Sequence, residues 1–464
     1  MVRLTSARLA ALLGRWEGAG PAYADLADRI RLLALDGRVL DGTRLPAERE
    51  LALALGLSRT TVAAAYARLR DLGCAASVRG SGTYIALPAA PAVAAPDGGG
   101  LVDLTKAAMP AASIVAECLG LAARSIGGEL GSLGYEPVGL PRLRVAVAEH
   151  FERRGVPTAP DQIMVTTGAQ HAISLLARLA LRSGGRALVE QPTYPHAMDV
   201  LASVRTRLGA LPVSEAGWDL PAAEAAFAAR PELAYVIPDF HNPTGASLSP
   251  EGRERLAWLA QRSGTLLVAD ETTALLDISR GPLLPLAAYS AQAVTIGGLS
   301  KLAWGGLRVG WIRAPRAVIA RLAHLRTAMD LGTPVLEQLA AVELLAREAL
   351  LVAERRSALR ERHAALTEAL AQSFPEWTVP KVDGGSALWV DCSPYSSSRL
   401  VLAARGHGVA LTAGPRFGLG GAFEHRLRLP FTASPEDLRG AILALRAASS
   451  EGGPAEVAAP LVAV

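Results

Sequence analysis

Hydrophobic and polar positions change their spacing along the chain, and this change separates a short helical segment from a longer alternating one. In residues 21–37, Leu26, Ile30 and Leu33 recur at helical spacing. Two further amphipathic helices and a two-stranded hairpin are predicted before residue 85, each bounded by glycine or serine. The N-terminal segment is therefore predicted to be a compact helical unit that ends in a hairpin.

Beyond residue 101, short apolar runs alternate with helical stretches. The runs are QIMVTT, RALVEQ, LAYVIP, TLLVAD and AVTIGG. This alternation predicts an α/β fold with βαβ units around a parallel-rich central sheet that is covered on both faces. A charged helical region follows at about 315–372, and the chain from 376 mixes strands and helices as in a small C-terminal α+β lobe.

The Ala/Pro/Gly-rich run ALPAAPAVAAPDGGG cannot bury a core and is typical of a linker. We therefore predict an N-terminal domain at 1–85, a linker at 86–100, a large domain at 101–447 and a flexible tail at 448–464.

Charge and cysteine usage narrow the function classes. The formal net charge is +4, and residues 1–85 hold 12 arginines and no lysine against 8 acidic residues, so the excess lies in the N-terminal domain. A positive domain favours a polyanionic partner. The three cysteines form no CxxC pair, which fits a reducing cytosol, and no metal site is predicted. No apolar run is long enough for a membrane span, so we expect a cytoplasmic protein without membrane contact.

The helical unit is predicted to be a winged helix-turn-helix, because a short GLS turn joins two helices and a hairpin follows. In such a unit the second helix enters the major groove of DNA. The first residues of this helix carry hydroxyl groups that can bind phosphates and a guanidinium group that can pair with guanine. The candidate DNA contacts are Arg49, Ser58, Arg59, Thr60, Thr61, Arg79 and Gly80. Taken singly, each is also compatible with a helix cap or a solvated face.

The string LPAERELALALGLSRTTVAAAYARLRDLG, with RGSGTYIA after it, resembles the GntR family of transcriptional regulators. The resemblance implies double-stranded operator DNA as the partner, contacted through Arg49, Arg59, Thr60, Thr61, Arg79 and Gly80. Ala63 stands where relatives often carry a second arginine of the recognition helix, and this difference leaves the base preference open.

Lys301 is one of three lysines in a chain that otherwise uses arginine, and it lies in TIGGLSKLAWGGLRVGW. A lysine amine can lose its proton and condense with an aldehyde, which arginine cannot do. Pyridoxal 5′-phosphate needs such an amine, a carboxylate for its pyridine nitrogen, a donor to its ring oxygen, a flat partner and a phosphate cup.

Each of these needs has a candidate at the end of a predicted strand, where open α/β sheets place ligands. Asp270 would pair with the pyridine nitrogen, Asn242 of HNPTG would bind the ring oxygen, and Tyr194 would stack on the ring. The candidate phosphate contacts are Gly168, Ala169, Gln170, Gly298, Ser300 and Arg308. Any one of these motifs could be an ordinary turn or cap, but their occurrence in this order favours a cofactor site.

Residues 101–447 resemble the fold-type I, aspartate aminotransferase-like enzymes of pyridoxal phosphate in YEPVGLPRLR, TTGAQHAI, HNPTG and GGLSKLAWGGLRVGW. The resemblance implies that Lys301 forms the Schiff base and that Tyr135 reaches the phosphate of the partner subunit in a homodimer. Arg428 matches the arginine that binds a substrate carboxylate, with Arg426 as its rival. Thr272 or Thr273 stands where relatives carry a tyrosine that binds the ring oxygen, which weakens the case for efficient transamination.

A GntR-like winged helix joined to an aminotransferase-like domain is the organisation of the MocR-type regulators, which this chain resembles from end to end. The resemblance implies a dimeric regulator that binds pyridoxal phosphate and senses an amino compound or the cofactor itself. Two alternatives remain open: an active aminotransferase with a vestigial DNA-binding module, and a regulator whose large domain is only a dimerisation scaffold.

Overall fold

The computed structural model describes residues 3–17, 20–78, 81–87 and 101–452, and its N-terminal part is a winged unit of four helices and a hairpin. The elements are α1 (Ser6–Leu13), α2 (Ala22–Leu35), α3 (Glu48–Leu55), α4 (Arg59–Asp71), β1 (Ala75–Val78) and β2 (Gly82–Ile85). Gly56 has a left-handed φ of 67°, which lets α3 end and the chain turn sharply into α4. The predicted winged helix-turn-helix is confirmed.

Helix α2 supports the predicted recognition helix α4. The apolar face of α2, including Ile30 and Leu33, packs in one core with Val62 and Leu69 of α4. The hydroxyl of Tyr66 donates a 2.9 Å hydrogen bond to the carbonyl oxygen of Pro46, which fixes α4 against the segment before α3. Any tilt of α2 is therefore transmitted to α4 through packed side chains.

The large domain is built on an eight-stranded sheet in the order β4-β11-β10-β9-β8-β5-β6-β7. The domain's strands, including those of the smaller sheets, are β3 (Val102–Asp103), β4 (Ile163–Thr166), β5 (Arg186–Gln191), β6 (Arg207–Ser214), β7 (Gly217–Trp218), β8 (Leu233–Val236), β9 (Leu266–Asp270), β10 (Val294–Gly298), β11 (Gly310–Arg313), β12 (Ala387–Asp391), β13 (Val409–Ala410), β14 (Thr412–Ala413) and β15 (Arg426–Pro430). The five central strands run parallel, as predicted, whereas β4, β11 and β7 join antiparallel at the two edges. The sheet is therefore mixed, because β11 and β7 each follow their neighbour without a crossover helix.

Helices cover both faces of this sheet. The helices of the domain are α5 (Val115–Ser125), α6 (Pro141–Arg153), α7 (Ala169–Ala180), α8 (Pro195–Ser203), α9 (Leu220–Ala228), α10 (Pro250–Ser263), α11 (Arg316–Arg326), α12 (Val335–Ala346), α13 (Glu348–Ser373), α14 (Ser397–Gly406) and α15 (Pro435–Gly452). Adjacent residues of β5 show the two faces, since Val189 packs in the core under α7, α8 and α11, and Leu188 in the core under α9 and α10. Among the described residues, no helix has the length and hydropathy to cross a membrane.

The C-terminal lobe contains a three-stranded sheet, β12-β15-β14, packed against α13, α14 and α15. Strand β3 pairs in parallel with β13 of this lobe, with Val102 opposite Val409. The start of the large domain is thereby fixed to the lobe, and the residues that follow β3 enter the space between lobe and main sheet.

The winged unit packs directly on the C-terminal lobe of the same chain. Leu32 of α2 is buried in the core of that lobe, and Nη2 of Arg399 donates a 2.7 Å hydrogen bond to Oδ1 of Asp25. The backbone N–H of Arg15 donates to the carbonyl oxygen of Gly420 at 2.9 Å. These contacts place α2 between the recognition helix and the lobe.

Several predictions fall on residues outside the described ranges. Arg79 and Gly80 at the hairpin tip are among these residues, as is most of the predicted linker. Helix α15 continues to Gly452, whereas the flexible tail was predicted to begin at residue 448. The domain boundaries therefore stay predictions.

Candidate functional site

A cleft opens where the carboxyl ends of β8, β9 and β10 meet the C-terminal lobe. These three strands are parallel neighbours, so the residues that follow them gather at one edge of the sheet. The predicted site residues that line this cleft are Ala169, Gln170, Tyr194, Asn242, Asp270, Thr272, Ser300, Lys301, Arg308 and Arg428.

Lys301 lies in the turn after β10, half-buried in the cleft. Its Nζ donates a 2.6 Å hydrogen bond to the carbonyl oxygen of Ala107, in the segment that β3 fixes to the lobe. Burial, together with the positive charge of Arg428, lowers the pKa of Lys301 to about 8, although Asp270 acts in the opposite direction. A substantial fraction of the amine is therefore neutral near physiological pH, as a nucleophile must be.

Asp270 ends β9 and accepts hydrogen bonds on both carboxylate oxygens. The buried phenol of Tyr235, on β8, donates to Oδ2 at 2.6 Å. The Thr272 hydroxyl and backbone N–H donate to Oδ1 at 2.7 and 3.0 Å. Burial, with the nearby carboxylate, raises the pKa of Tyr235 well above its ordinary value, so the phenol remains a donor. The carboxylate is thus held in one orientation.

The two threonines predicted to replace a ring-oxygen tyrosine both use their hydroxyls within the protein. Thr272 donates to Asp270, and the hydroxyl of Thr273 donates to the carbonyl oxygen of Asp239 at 2.7 Å. Asn242 differs, because its buried Oδ1 has no hydrogen-bond partner among the described residues. The Asn242 amide therefore keeps an unused acceptor for a ligand at this side of the cleft.

A cradle suited to a phosphate lies at the start of α7. Gly168 caps this helix with a φ of 79°, and a Cβ added there would lie 2.7 Å from Nη2 of Arg308. Arg308 donates to the carbonyl oxygen of Thr167 at 3.1 Å, which holds its guanidinium across the helix start. The free N–H groups of the first turn, at Ala169 and Gln170, and the guanidinium make an anion-binding arrangement.

Tyr194 and Arg428 approach the cleft from the sheet and from the lobe, respectively. Burial raises the pKa of Tyr194 to about 12, so its phenol stays neutral. Arg428 on β15 donates to the carbonyl oxygen of Thr105, and its guanidinium carbon lies 4.9 Å from the centre of the Phe417 ring. Its buried Nε has no partner among the described residues, which leaves binding capacity for a carboxylate.

Four predicted candidates are not part of the cleft lining of their own chain: Gly168, which lies next to Arg308, and Arg426, Tyr135 and Gly298. Arg426 instead pairs with Glu215 and, at 3.6 Å, with Asp391. Tyr135 is 66% exposed in the loop before α6. Gly298, at the end of β10, lines a separate small cavity together with Glu271 and Thr272.

The structure also adds cleft residues that sequence reasoning missed. Arg416 forms an ion pair with Asp199, and Arg405 also belongs to the lining. Asp36, at the end of α2, lines the same cleft from the winged unit. The string LAYVIP places Tyr235 in an otherwise aliphatic strand, and this pattern could have identified it, because a buried phenol needs a hydrogen-bond partner. Asp36 had no sequence signal.

The predicted DNA-contact residues at the starts of α3 and α4 are exposed, apart from the half-buried Thr61. Ser58 caps α4, since its Oγ accepts a 3.0 Å hydrogen bond from the N–H of Thr61. Arg59 is exposed and lies 3.5 Å from the carboxylate of Glu48. Arg49 and Thr60 are also exposed, so the start of α4 is accessible to a groove.

The residues present fit pyridoxal 5′-phosphate. The cleft combines a deprotonatable amine, a carboxylate held by three donors from two residues, and an amide with unmet hydrogen-bonding capacity. It also contains a phosphate cradle that any side chain at position 168 would obstruct. When bound, this cofactor supplies an aldehyde carbon and an electron-accepting ring. Lys301, Asp270, Asn242 and Arg308 are the groups that would hold it.

Comparisons with known proteins agree with this geometry. The family described as aminotransferase class I and II matches residues 111–445, and bacterial regulatory proteins of the gntR family match residues 22–85. An HTH-type transcriptional regulator of Bacillus subtilis, YisV, is 29% identical over 80% of this chain and 84% of its own. The probable rhizopine catabolism regulatory protein MocR of Rhizobium meliloti is 30% identical over 64% of this chain and 66% of its own.

The large domain also has solved counterparts. The α-aminoadipate aminotransferase LysN of Thermus thermophilus, solved with N-(5′-phosphopyridoxyl)-L-leucine, superposes with a TM-score of 0.70 and 28% identity, over 76% of this chain and 92% of that one. The chain therefore belongs to the aminotransferase class I and II family, joined to a gntR-type helix-turn-helix domain in the organisation of the MocR-type transcriptional regulators.

Proposed function

We propose that this regulator holds pyridoxal 5′-phosphate at Lys301 and changes its operator binding when a small amino compound, or the cofactor itself, occupies the cleft. The observation that carries the proposal is that one cleft is lined by Lys301, by Arg428 and by Asp36 of the DNA-binding unit. A ligand in that cleft has different contacts when the winged unit is docked and when it is not, as any ligand switch requires.

In this function each side chain has a distinct task. Lys301 provides the attachment point, Asp270 keeps the pyridine nitrogen protonated, and Arg308 with the start of α7 neutralises the phosphate. Arg428 binds the carboxylate of the amino compound. Exposed Tyr135 would complete the phosphate site of a partner subunit, so we propose a homodimer.

Sustained transamination by the large domain is not part of the proposed function. Relatives include transaminases, such as the 2-aminoadipate transaminase of Thermus thermophilus at 31% identity. Against efficient turnover, the hydroxyls of Thr272 and Thr273 are engaged by the protein and lack the acidity of a phenol. We therefore propose binding without sustained transamination.

One experiment tests the proposal as a whole. Operator affinity is measured by fluorescence anisotropy for the cofactor-free protein, the cofactor-loaded protein and the loaded protein with a panel of amino compounds. We expect at least one state to differ in affinity, and borohydride treatment of the loaded protein to label Lys301. Steady consumption of amino donors with unchanged operator affinity would support an active aminotransferase instead, and failure to bind the cofactor would support a scaffold.

A further inference from the structure

The end of helix α2 reaches the outer part of the cleft. Leu35 and Asp36 line it, opposite Arg405 and Arg416 of the C-terminal lobe. The same helix packs on the recognition helix α4, and an ion pair of 3.7 Å between Asp28 and Arg68 adds to this packing. One rigid element therefore touches both the ligand space and the DNA-binding helix.

Positive charge is in excess at this outer part of the cleft. Arg416 is paired with Asp199, whereas the buried Nε of Arg405 has no hydrogen-bond partner among the described residues. Burial, together with the neighbouring cations Arg416 and Arg29, lowers the pKa of Arg38 to about 10. Such crowding of guanidinium groups favours an additional anion.

Asp36 is the carboxylate that partly balances this charge. It is accessible to solvent from the cleft, yet enclosure by the surrounding protein raises its pKa, and Arg416 is the strongest of the arginines that oppose this effect. The other carboxylate in the lining, Asp270, is engaged by Tyr235 and Thr272 further inside. An acidic group that enters the outer cleft would therefore compete with Asp36 for the same arginines.

We propose that Arg405 and Arg416 form an outer anion subsite, and that Asp36 balances their charge when no ligand is bound. The effector is an amino acid with a second acidic group, and this group binds at the subsite in place of Asp36. This inference rests on the proposed function, because it places the α-carboxylate at Arg428. Two carboxylates at the same arginines repel each other, so the occupied subsite disfavours the docked position of α2. The effector then acts on α4 through α2.

The subsite is tested with two ligands that differ only in charge. N-(5′-phosphopyridoxyl)-L-glutamate and N-(5′-phosphopyridoxyl)-L-glutamine are titrated into the cofactor-free protein. We expect the glutamate adduct to bind about tenfold more tightly, as for one charge-assisted hydrogen bond. The R405Q variant should reduce this preference below about threefold, and D36N, at an accessible position, should increase it. Equal affinities in the wild-type protein would overturn the subsite while leaving the cofactor site intact.

The link to DNA is tested with the same adducts in operator-binding measurements. In the wild-type protein, the two adducts should give operator affinities that differ by about threefold or more. D36N should remove this difference, whereas D71N, which removes the same charge from an exposed position of α4, should keep it. A difference that persists in D36N would overturn the role of Asp36. If neither adduct binds at all, the proposed cofactor site fails together with the subsite.

Discussion

The phenol of Tyr235 donates a 2.6 Å hydrogen bond to Oδ2 of Asp270, the carboxylate that faces the ligand space at the end of β9. Tyr235 is fully buried, and its neighbours are aliphatic residues of β8. The interaction therefore fixes Asp270 from behind while Thr272 fixes it from the side. The orientation of this carboxylate is set before any cofactor arrives.

Replacement of Tyr235 by Phe should destabilise the cofactor-free protein. A hydrogen bond to a charged group contributes about 1.5–3 kcal/mol, and the variant leaves a buried carboxylate oxygen without its donor. We expect a lower melting temperature for the variant without cofactor. Addition of pyridoxal 5′-phosphate should raise the melting temperature of the variant more than that of the wild type, because the pyridine nitrogen supplies Asp270 with a new partner. Tyr289→Phe, outside the cleft, is the control. Identical melting temperatures without cofactor would contradict this role.

The covalent loading of the cofactor should depend on pH through Lys301. Because the pKa of Lys301 is lowered to about 8, the loading rate should rise up to about pH 8 and then level off. The unfolded chain holds this proton up to the ordinary lysine pKa of about 10.4, so folding stability should also increase with pH between these two values. Stopped-flow absorbance measures the rate. Lys381→Ala should keep the profile, Lys301→Ala should show no loading, and a rate still rising at pH 10 would disprove the lowered pKa.

Arg428 and Arg426 offer a matched pair on one strand. Arg428→Ala should weaken the binding of a carboxylated amino compound by about 2–5 kcal/mol, as when one partner of a buried charge pair is removed. The visible absorbance of the bound cofactor should remain. Arg426→Ala removes the same group from the pairs with Glu215 and Asp391 and should leave ligand binding unchanged. The opposite pattern in spectral titrations would reassign the carboxylate site to Arg426.

Arg59 should contribute to operator affinity. Arg59→Ala is expected to cost about 1–3 kcal/mol if the side chain binds a guanine, with a relaxed preference at one base position. Fluorescence anisotropy with the operator and with single-base variants measures both effects. Arg8→Ala, an exposed arginine of α1, is the control. An Arg59→Ala protein with wild-type affinity would show that Arg59 pairs only with Glu48.

Arg253 holds the strand-end loop that carries Asn242. Its side chain is fully buried and donates to Oδ1 of Asp239 at 2.8 Å and to the carbonyl oxygen of Leu248 at 3.0 Å. Arg253→Ala leaves Asp239 paired with Arg280 alone, at 2.8 Å, and removes the donor to the carbonyl oxygen of Leu248. It should cost about 1–3 kcal/mol in the free energy of unfolding, as for a buried acceptor left without its donor. Arg255→Ala, at a half-buried position where the side chain pairs with the half-exposed Glu224, should cost less than about 1 kcal/mol. Chemical denaturation distinguishes the two, and similar losses would contradict the burial argument.

The sequence was sufficient to predict that three strand-end residues gather in one cleft, although it missed Tyr235 of β8. Asp270, Asn242 and Lys301 each follow a strand, and parallel neighbours bring such ends to one edge. The antiparallel sheet edges were not predicted, because short strands at an edge carry the same apolar pattern in either direction. The partners of Thr272 and Thr273 were also not predictable, since a hydroxyl's acceptor depends on side-chain rotamers.

Contacts between distant parts of the chain account for the remaining gaps. The pairing of β3 with β13 brings Thr105 and Ala107 to Arg428 and Lys301, and nothing in the local pattern indicates it. The docking of α2 beside Arg405 likewise joins two domains that the sequence presents as separate. Periodicity describes each element but contains no information on which elements meet.

Burial of Leu32 stabilises the docked position of the winged unit on the C-terminal lobe. Its side chain is 4% exposed within the core of the C-terminal lobe. Re-exposing a leucine of this kind costs about 1.5–3 kcal/mol, so an isolated chain would spend most of its time with the DNA-reading surface held in a single pose. Undocking of the winged unit therefore needs an equal gain in binding free energy. Operators whose half-sites fit the docked position would be bound without this cost. Other operators would be bound only if their DNA contacts compensate for it.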